Sequence, residues 1–139
     1  MSRIARVVYT ARIATIGGRE NGASRSSDGL LDIRLSAPGS ARIGTNPEQL
    51  IAAGWSTSFA SAITSVARER KIALPVGVSI DAEVDLNLGD SGYFLSTRLN
   101  VSLPGVELDL AKALVGEAHR VCPYSKATSG NIEVRITLI

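Results

Sequence analysis

Val7, Tyr9, Ala11 and Ile13 alternate with Val8, Thr10, Arg12 and Ala14. That period of two predicts a strand over residues 7–15 with one moderately polar face. Gly17-Gly18 breaks the pattern, and Arg19-Glu20-Asn21 predicts a turn. A short strand is expected over 23–26, ending at Ser27-Asp28-Gly29. In a third strand Leu31, Ile33 and Leu35 alternate with Asp32 and Arg34. Three strands so close in sequence predict an antiparallel meander. Residues 38–44, rich in small side chains, predict a loop.

The period then changes. Asn46 suits an N-cap, Pro47 the first helical position, and Gln49 can reach back to the cap. The helix is expected to run about 25 residues, toward Lys71, with Pro75 as its stop. Residues 51–63, IAAGWSTSFASAI, carry no charge. A helix that is apolar or small all round predicts burial on all sides. Its Ala, Gly and Ser residues would let other backbones approach closely.

Further on, Val78, Ile80, Ala82, Val84 and Leu86 alternate with polar residues, and so do Leu95, Thr97, Leu99, Val101 and Leu103. Gly89-Asp90-Ser91-Gly92 between them predicts a long hairpin. Leu108, Ala111, Leu114, Val115 and Ala118 form one stripe of an amphipathic helix, which Pro123 ends just after Cys122. Ile132, Val134, Ile136 and Leu138 predict a closing strand. The order is βββα then ββαβ: a single α+β domain over 1–139, with antiparallel sheets around one long buried helix.

Composition narrows what such a domain does. The 139 residues are 45% hydrophobic and 20% charged, a folded, globular balance. A net charge of +2 without a like-charge block, and only 4% aromatic residues, argue against nucleic acid as a partner. No apolar run approaches the roughly 20 residues of a membrane span, and Arg3, Arg6 and Arg12 interrupt any secretory signal. A cytoplasmic protein with no membrane association is expected. One cysteine, Cys122, and one histidine, His119, leave no intramolecular disulfide and no zinc site, and no cofactor is expected. There is no G-x-S-x-G nucleophile elbow.

Three segments remain: Gly17-Gly18-Arg19, Thr45-Asn46-Pro47-Glu48-Gln49-Leu50 and Val121-Cys122-Pro123-Tyr124-Ser125. Singly, each has an ordinary reading as a turn, a helix start and a buried thiol. Together, with VCPYS-x-AT, they are far more specific. The chain resembles the organic hydroperoxide resistance proteins of the wider OsmC family over nearly its whole length. The resemblance implies an OsmC-like fold in an intertwined homodimer with active sites at the subunit interface. It also implies reduction of organic hydroperoxides by a cysteine pair, regenerated by a dithiol reductant such as a lipoylated protein.

Residue by residue, the resemblance assigns Arg19 to stabilising the reactive thiolate, Glu48 to orienting Arg19, and Cys122 to resolving the sulfenic acid. The peroxidatic cysteine corresponds to position 58, where this chain has Ser58. A hydroxyl ionises far above the roughly 8.5 of a thiol, and oxygen lacks sulfur's soft nucleophilicity, so the chain as written is expected to be inactive. Retention of Arg19, Glu48 and Cys122 favours an engineered cysteine-to-serine change. The alternative is a natural non-catalytic member that binds apolar hydroperoxides or fatty acids. A hydrolase using Ser58 would have only His119 as base, and Ser58 is expected in mid-helix, which weighs against it. His119 itself reads as a helix-face residue beside Arg120, and Trp55 and Phe59 read first as core.

The uncharged stretch 51–63 is too apolar to leave in water, so sedimentation at micromolar concentration is expected to show an obligate dimer. A stable, folded monomer would overturn that expectation.

Overall fold

In the computed structural model, which describes residues 5–139, the chain divides into two units, residues 1–47 and 48–139. The first unit holds three strands, β1 (Ile13–Ile16), β2 (Ala23–Ser26) and β3 (Asp32–Arg34). They form the expected antiparallel meander, with Ile13 opposite Ser26 and Ser24 opposite Ile33. β1 is shorter than its alternation predicts: Val7, Val8 and Tyr9 lie outside any strand and are exposed. Strand pattern needs a partner to satisfy its backbone groups, and on the β1 side the four residues of β2 reach only 13–16. Arg3 lies outside the described residues. The turn after β2 is built by Asp28, whose Oδ1 accepts from Ser26 Oγ at 2.6 Å and from the Leu30 amide at 3.0 Å.

All but the first residue of α1 (Pro47–Glu69) belongs to the second unit, which continues through β4 (Ser79–Gly89), β5 (Gly92–Ser102), α2 (Leu108–Val121), α3 (Pro123–Thr128) and β6 (Glu133–Leu138). Pro47 sits first in α1, where its missing N–H is no loss. The helix ends earlier than Pro75 would require. Lys71 takes a left-handed φ of 57°, and its amide donates to Arg68 while that of Ile72 donates to Ala67. That is a Schellman closure, made here with lysine where glycine is usual. α1, at 23 residues, is long and apolar enough to cross a membrane, with a mean hydropathy of 1.3 over an 18-residue window. One face of it is core, however: Trp55, Phe59 and Ile63 are fully buried, with Ala62, Val66 and Ala67 beside them.

Burial on all sides does not hold within the chain. Ala53, Thr57, Ser61, Thr64 and Ser65 are exposed. The β4–β5–β6 sheet and α2 supply core partners for one side of α1 only. That core gathers Trp55, Phe59 and Ile63 with Leu99 and Val101 of β5 and Ala111, Val115, Ala118 and Cys122.

The hairpin forms in the register its turn implies, Gly89 opposite Gly92 and Ile80 opposite Val101. β5 is the middle strand; Thr97, Leu99 and Val101 point into the core. β6, however, pairs parallel to β5, so this sheet is mixed rather than antiparallel. The crossover through α2 and α3 returns the chain in the direction in which β5 ran. α3 is a further departure from the expected order. Pro123 stops α2 and also opens α3, because a residue unable to continue one helix is well suited to begin another. The N-terminus of α2 is capped by Glu107, whose carboxylate accepts from the amides of Asp109 and Leu110, both at 3.1 Å.

On the outer face of the hairpin, Arg98 makes a two-pronged pair with Asp85, at 2.6 and 2.9 Å. That bond, with a second from Ser96, holds the Asp85 carboxyl down at about 2 from an ordinary 3.8. A depressed carboxyl adds stability above its unfolded value and loses it as pH falls through the folded one. Thermal melts should therefore drop between about pH 4 and pH 2. Asp85→Asn should lower the melting temperature at neutral pH and flatten that acid limb; an unchanged limb would mean that the pair is energetically silent.

Candidate functional site

Ser58 lies one residue before Phe59 and three after Trp55, both fully buried. Helical spacing turns Ser58 to the edge of that face, half-buried. There its Oγ sits 3.6 Å from Cys122 Sγ, a hydrogen-bonding distance for sulfur, across a sequence separation of 64 residues. Cys122 is fully buried at the joint between α2 and α3. Its amide closes α2 on Ala118 at 2.8 Å, and its carbonyl accepts from Lys126 at 3.0 Å. Both ends of this residue's backbone are fixed, so its side chain is aimed by two helices at once.

Small residues permit the approach. A Cβ on Gly54 would come within 2.8 Å of the Tyr124 hydroxyl. The Tyr124 ring also meets Trp55, with centroids 6.4 Å apart. The VCPYS segment thus closes against α1 through Cys122 on Ser58 and Tyr124 on Gly54 and Trp55. Ser125, from the same segment, is buried with its hydroxyl unpaired.

A cavity of about 440 Å³ opens at Ser58, and Ser61, Ser65 and Glu69 continue it along one stripe of α1. Across from them stand Glu117, Val121 and Pro123. Sequence reasoning missed Ser61, Ser65, Glu69 and Glu117, although steps of three and four from Ser58 would have found the first three. Arg70 Nη2 lies 2.8 Å from Glu117 Oε2 but off the line of a hydrogen bond, so this is an ion pair at partly exposed side chains. Among the described residues no group of three or more His, Cys, Asp or Glu converges as a metal would require.

Of the four residues assigned from sequence, the structure brings Ser58 and Cys122 together. Glu48 is in the first turn of α1, ten positions before Ser58 and therefore about 15 Å away along the axis. Arg19 is half-buried in the turn that follows β1, in the first unit. His119 does not face Ser58: its ring packs on Phe59 at 6.3 Å.

The α+β fold with its long apolar helix is that of a known class. This chain belongs to the OsmC-like protein family, whose model matches residues 38–137. It is 44% identical over 137 residues to the organic hydroperoxide resistance protein of Xanthomonas axonopodis pv. citri, covering 96% of each chain. It is 42% identical over 134 residues to the organic hydroperoxide resistance protein OhrA of Bacillus subtilis, covering 93% of this chain and 94% of that one. The crystal structure of OhrB from the same organism superposes with a TM-score of 0.90 at 38% identity, covering 96% of this chain and all of that one.

With Cys122 fully buried, the native protein should resist alkylation by iodoacetamide and label fully once denatured. Rapid labelling of folded protein, followed by mass spectrometry, would show that the α2–α3 joint opens.

Proposed function

We propose that this chain is a thiol peroxidase of organic hydroperoxides in which the peroxidatic position is held by Ser58. The observation that carries the reading is the 3.6 Å contact between Ser58 Oγ and Cys122 Sγ. A sulfur in place of that oxygen reaches further from its Cβ and needs only a small movement to close an S–S bond of about 2.05 Å. The relatives named for organic hydroperoxide resistance support the same reaction class.

With a cysteine at position 58, its thiolate attacks the distal peroxide oxygen. The O–O bond breaks, the alkoxide takes up a proton and leaves as the alcohol, and sulfur becomes a sulfenic acid. Cys122 then attacks that sulfur, water departs, and a disulfide joins positions 58 and 122. A dithiol, such as the lipoyl group of a lipoylated protein, reduces it by exchange and is itself oxidised to a disulfide. Glu48 stands about 15 Å from Ser58 along α1 of its own chain. In this reading Arg19 and Glu48 therefore serve position 58 at the subunit interface of the dimer, Arg19 holding the thiolate and polarising the peroxide and Glu48 orienting its guanidinium. Serine cannot begin the sequence, so the chain as written is inactive. The cavity beside Ser58 is the entry for an apolar hydroperoxide, with alkyl wall from Ala62, Val66 and Val121.

The working unit in this reading is a homodimer in the cytoplasm. The exposed side of α1 and the exposed Val7, Val8, Tyr9, Leu88 and Tyr93 are the surface that a second copy would cover. The same cavity favours one second reading, a natural non-catalytic member that binds apolar hydroperoxides or fatty acids without turnover.

Ser58→Cys separates the two. It should consume an organic hydroperoxide with dihydrolipoamide, while the unaltered chain should not, and mass spectrometry should find the 58–122 disulfide. Adding Cys122→Ser should allow one oxidation, then over-oxidation of the sulfur. A folded Ser58→Cys protein that shows neither turnover nor disulfide leaves the binding reading in place of the enzyme.

A further inference from the structure

On the opposite side of α2 from the Ser58 cavity runs a second groove, of about 470 Å³, between α2 and β6. Leu108, Lys112, Gly116 and His119 lie along it at helical steps of four, four and three, a stripe about 16 Å long. Val115, Ile136 and Leu138 complete an apolar wall. It shares no lining residue with the cavity at Ser58. Its volume is that of an ordinary small-ligand site.

Three features of this groove point to one ligand chemistry. First, Gly116 stands in the interior of α2, where glycine weakens a helix relative to alanine. No close neighbour demands it: a Cβ there would meet nothing within 4 Å. The missing side chain leaves open the middle of the groove. Second, Lys112 forms no hydrogen bond or ion pair among the described residues, and no carboxylate lines the groove. Lys112 is exposed, so it brings a cation to the edge of the trough with no carboxylate among the lining residues. Third, His119 has its Nδ1 buried without a hydrogen-bond partner and its ring set against Phe59. His119 itself lines the groove, and Nε2 is not among the buried, unpaired atoms.

We propose that this groove binds an apolar monocarboxylate, a medium-chain fatty-acid anion, with its carboxylate at Lys112 and its alkyl chain over Gly116 between Val115, Ile136 and Leu138. His119 Nε2 supplies the polar contact toward the other end of the trough. An apolar chain alone would be served by the wall; the unpaired ammonium selects an anion over an alcohol or an amine. Through His119 the bound ligand touches Phe59, the neighbour of Ser58, so occupancy is felt at the core of the unit without entry to the Ser58 cavity.

The test uses the full-length chain with octanoate, octanol and octylamine, each below its micellar concentration, by calorimetry and by amide chemical shifts. Octanoate should bind, octanol more weakly and octylamine not at all, with shifts centred on Gly116, His119 and Leu138. Lys112→Met keeps the alkyl stem and should weaken octanoate about three- to fivefold, the scale of an exposed ion pair, with octanol unaffected. Gly116→Leu should fill the trough and abolish binding of both, with circular dichroism confirming the fold. If that variant misfolds, Lys112→Met and the shift map still decide. No binding of octanoate, equal binding by octylamine, undiminished binding to Lys112→Met, or shifts centred on Ser58 and Ser61 would each overturn the proposal. None of these readouts depends on whether Ser58→Cys is active.

Discussion

Everything in the larger unit depends on one packing event, the burial of the Trp55–Phe59–Ile63 face of α1 against the middle strand β5 and the inner face of α2. Each large side chain removed from water there contributes about 1.5–3 kcal/mol, and the three stand a helical turn apart on one rigid rod. The rod then fixes what surrounds it. Ser58 is carried to the margin of the buried face because its neighbours Trp55 and Phe59 cannot be anywhere else. Cys122 reaches it because α2 packs by Ala111, Val115 and Ala118, small enough to bring the end of that helix close.

The same packing sets the surroundings of position 58. The pair sits where the core meets a cavity, with sulfur sealed and oxygen half-exposed. That gradient suits a reaction in which one group meets the substrate first and the other arrives second. In the proposed reaction, a hydroxyl would fill the space of the first group and keep the contact while lacking the acidity and the soft nucleophilicity of a thiol. Geometry and reactivity are thus separable in this site. α2 adds a second consequence: with one face on the core, it presents different stripes to two cavities, one ending at Ser58 and one opened by Gly116.

The departures from simple pattern reading have common causes. Alternation marks which residues could form a strand, and a neighbour decides whether they do; residues 7–9 have the pattern and no partner. Proline marks the end of one element without naming the next, so α3 is hidden behind the end of α2. Strand direction is invisible to side-chain period, which is why β6 reads the same whether parallel or antiparallel. The end of α1 turns on backbone geometry at Lys71, a residue type that does not advertise a left-handed conformation.

The sequence by itself determined the two periods, hence the α+β class, the number and order of the strands, the long helix with its proline start, and the glycine-bounded hairpin. The resemblance to the organic hydroperoxide resistance proteins, carried by the local motifs at Arg19, Glu48 and Cys122, is what assigned Ser58 and Cys122 to one site. Only the tertiary structure decided that the hydroxyl and the thiol lie 3.6 Å apart, that one face of α1 is sealed and the other open, and that Ser61, Ser65, Glu69 and Glu117 share a cavity with them. The division has a physical reason. Period and turn chemistry are set by interactions within a few residues, whereas contact across 64 residues exists only after the helices and the mixed sheet have packed.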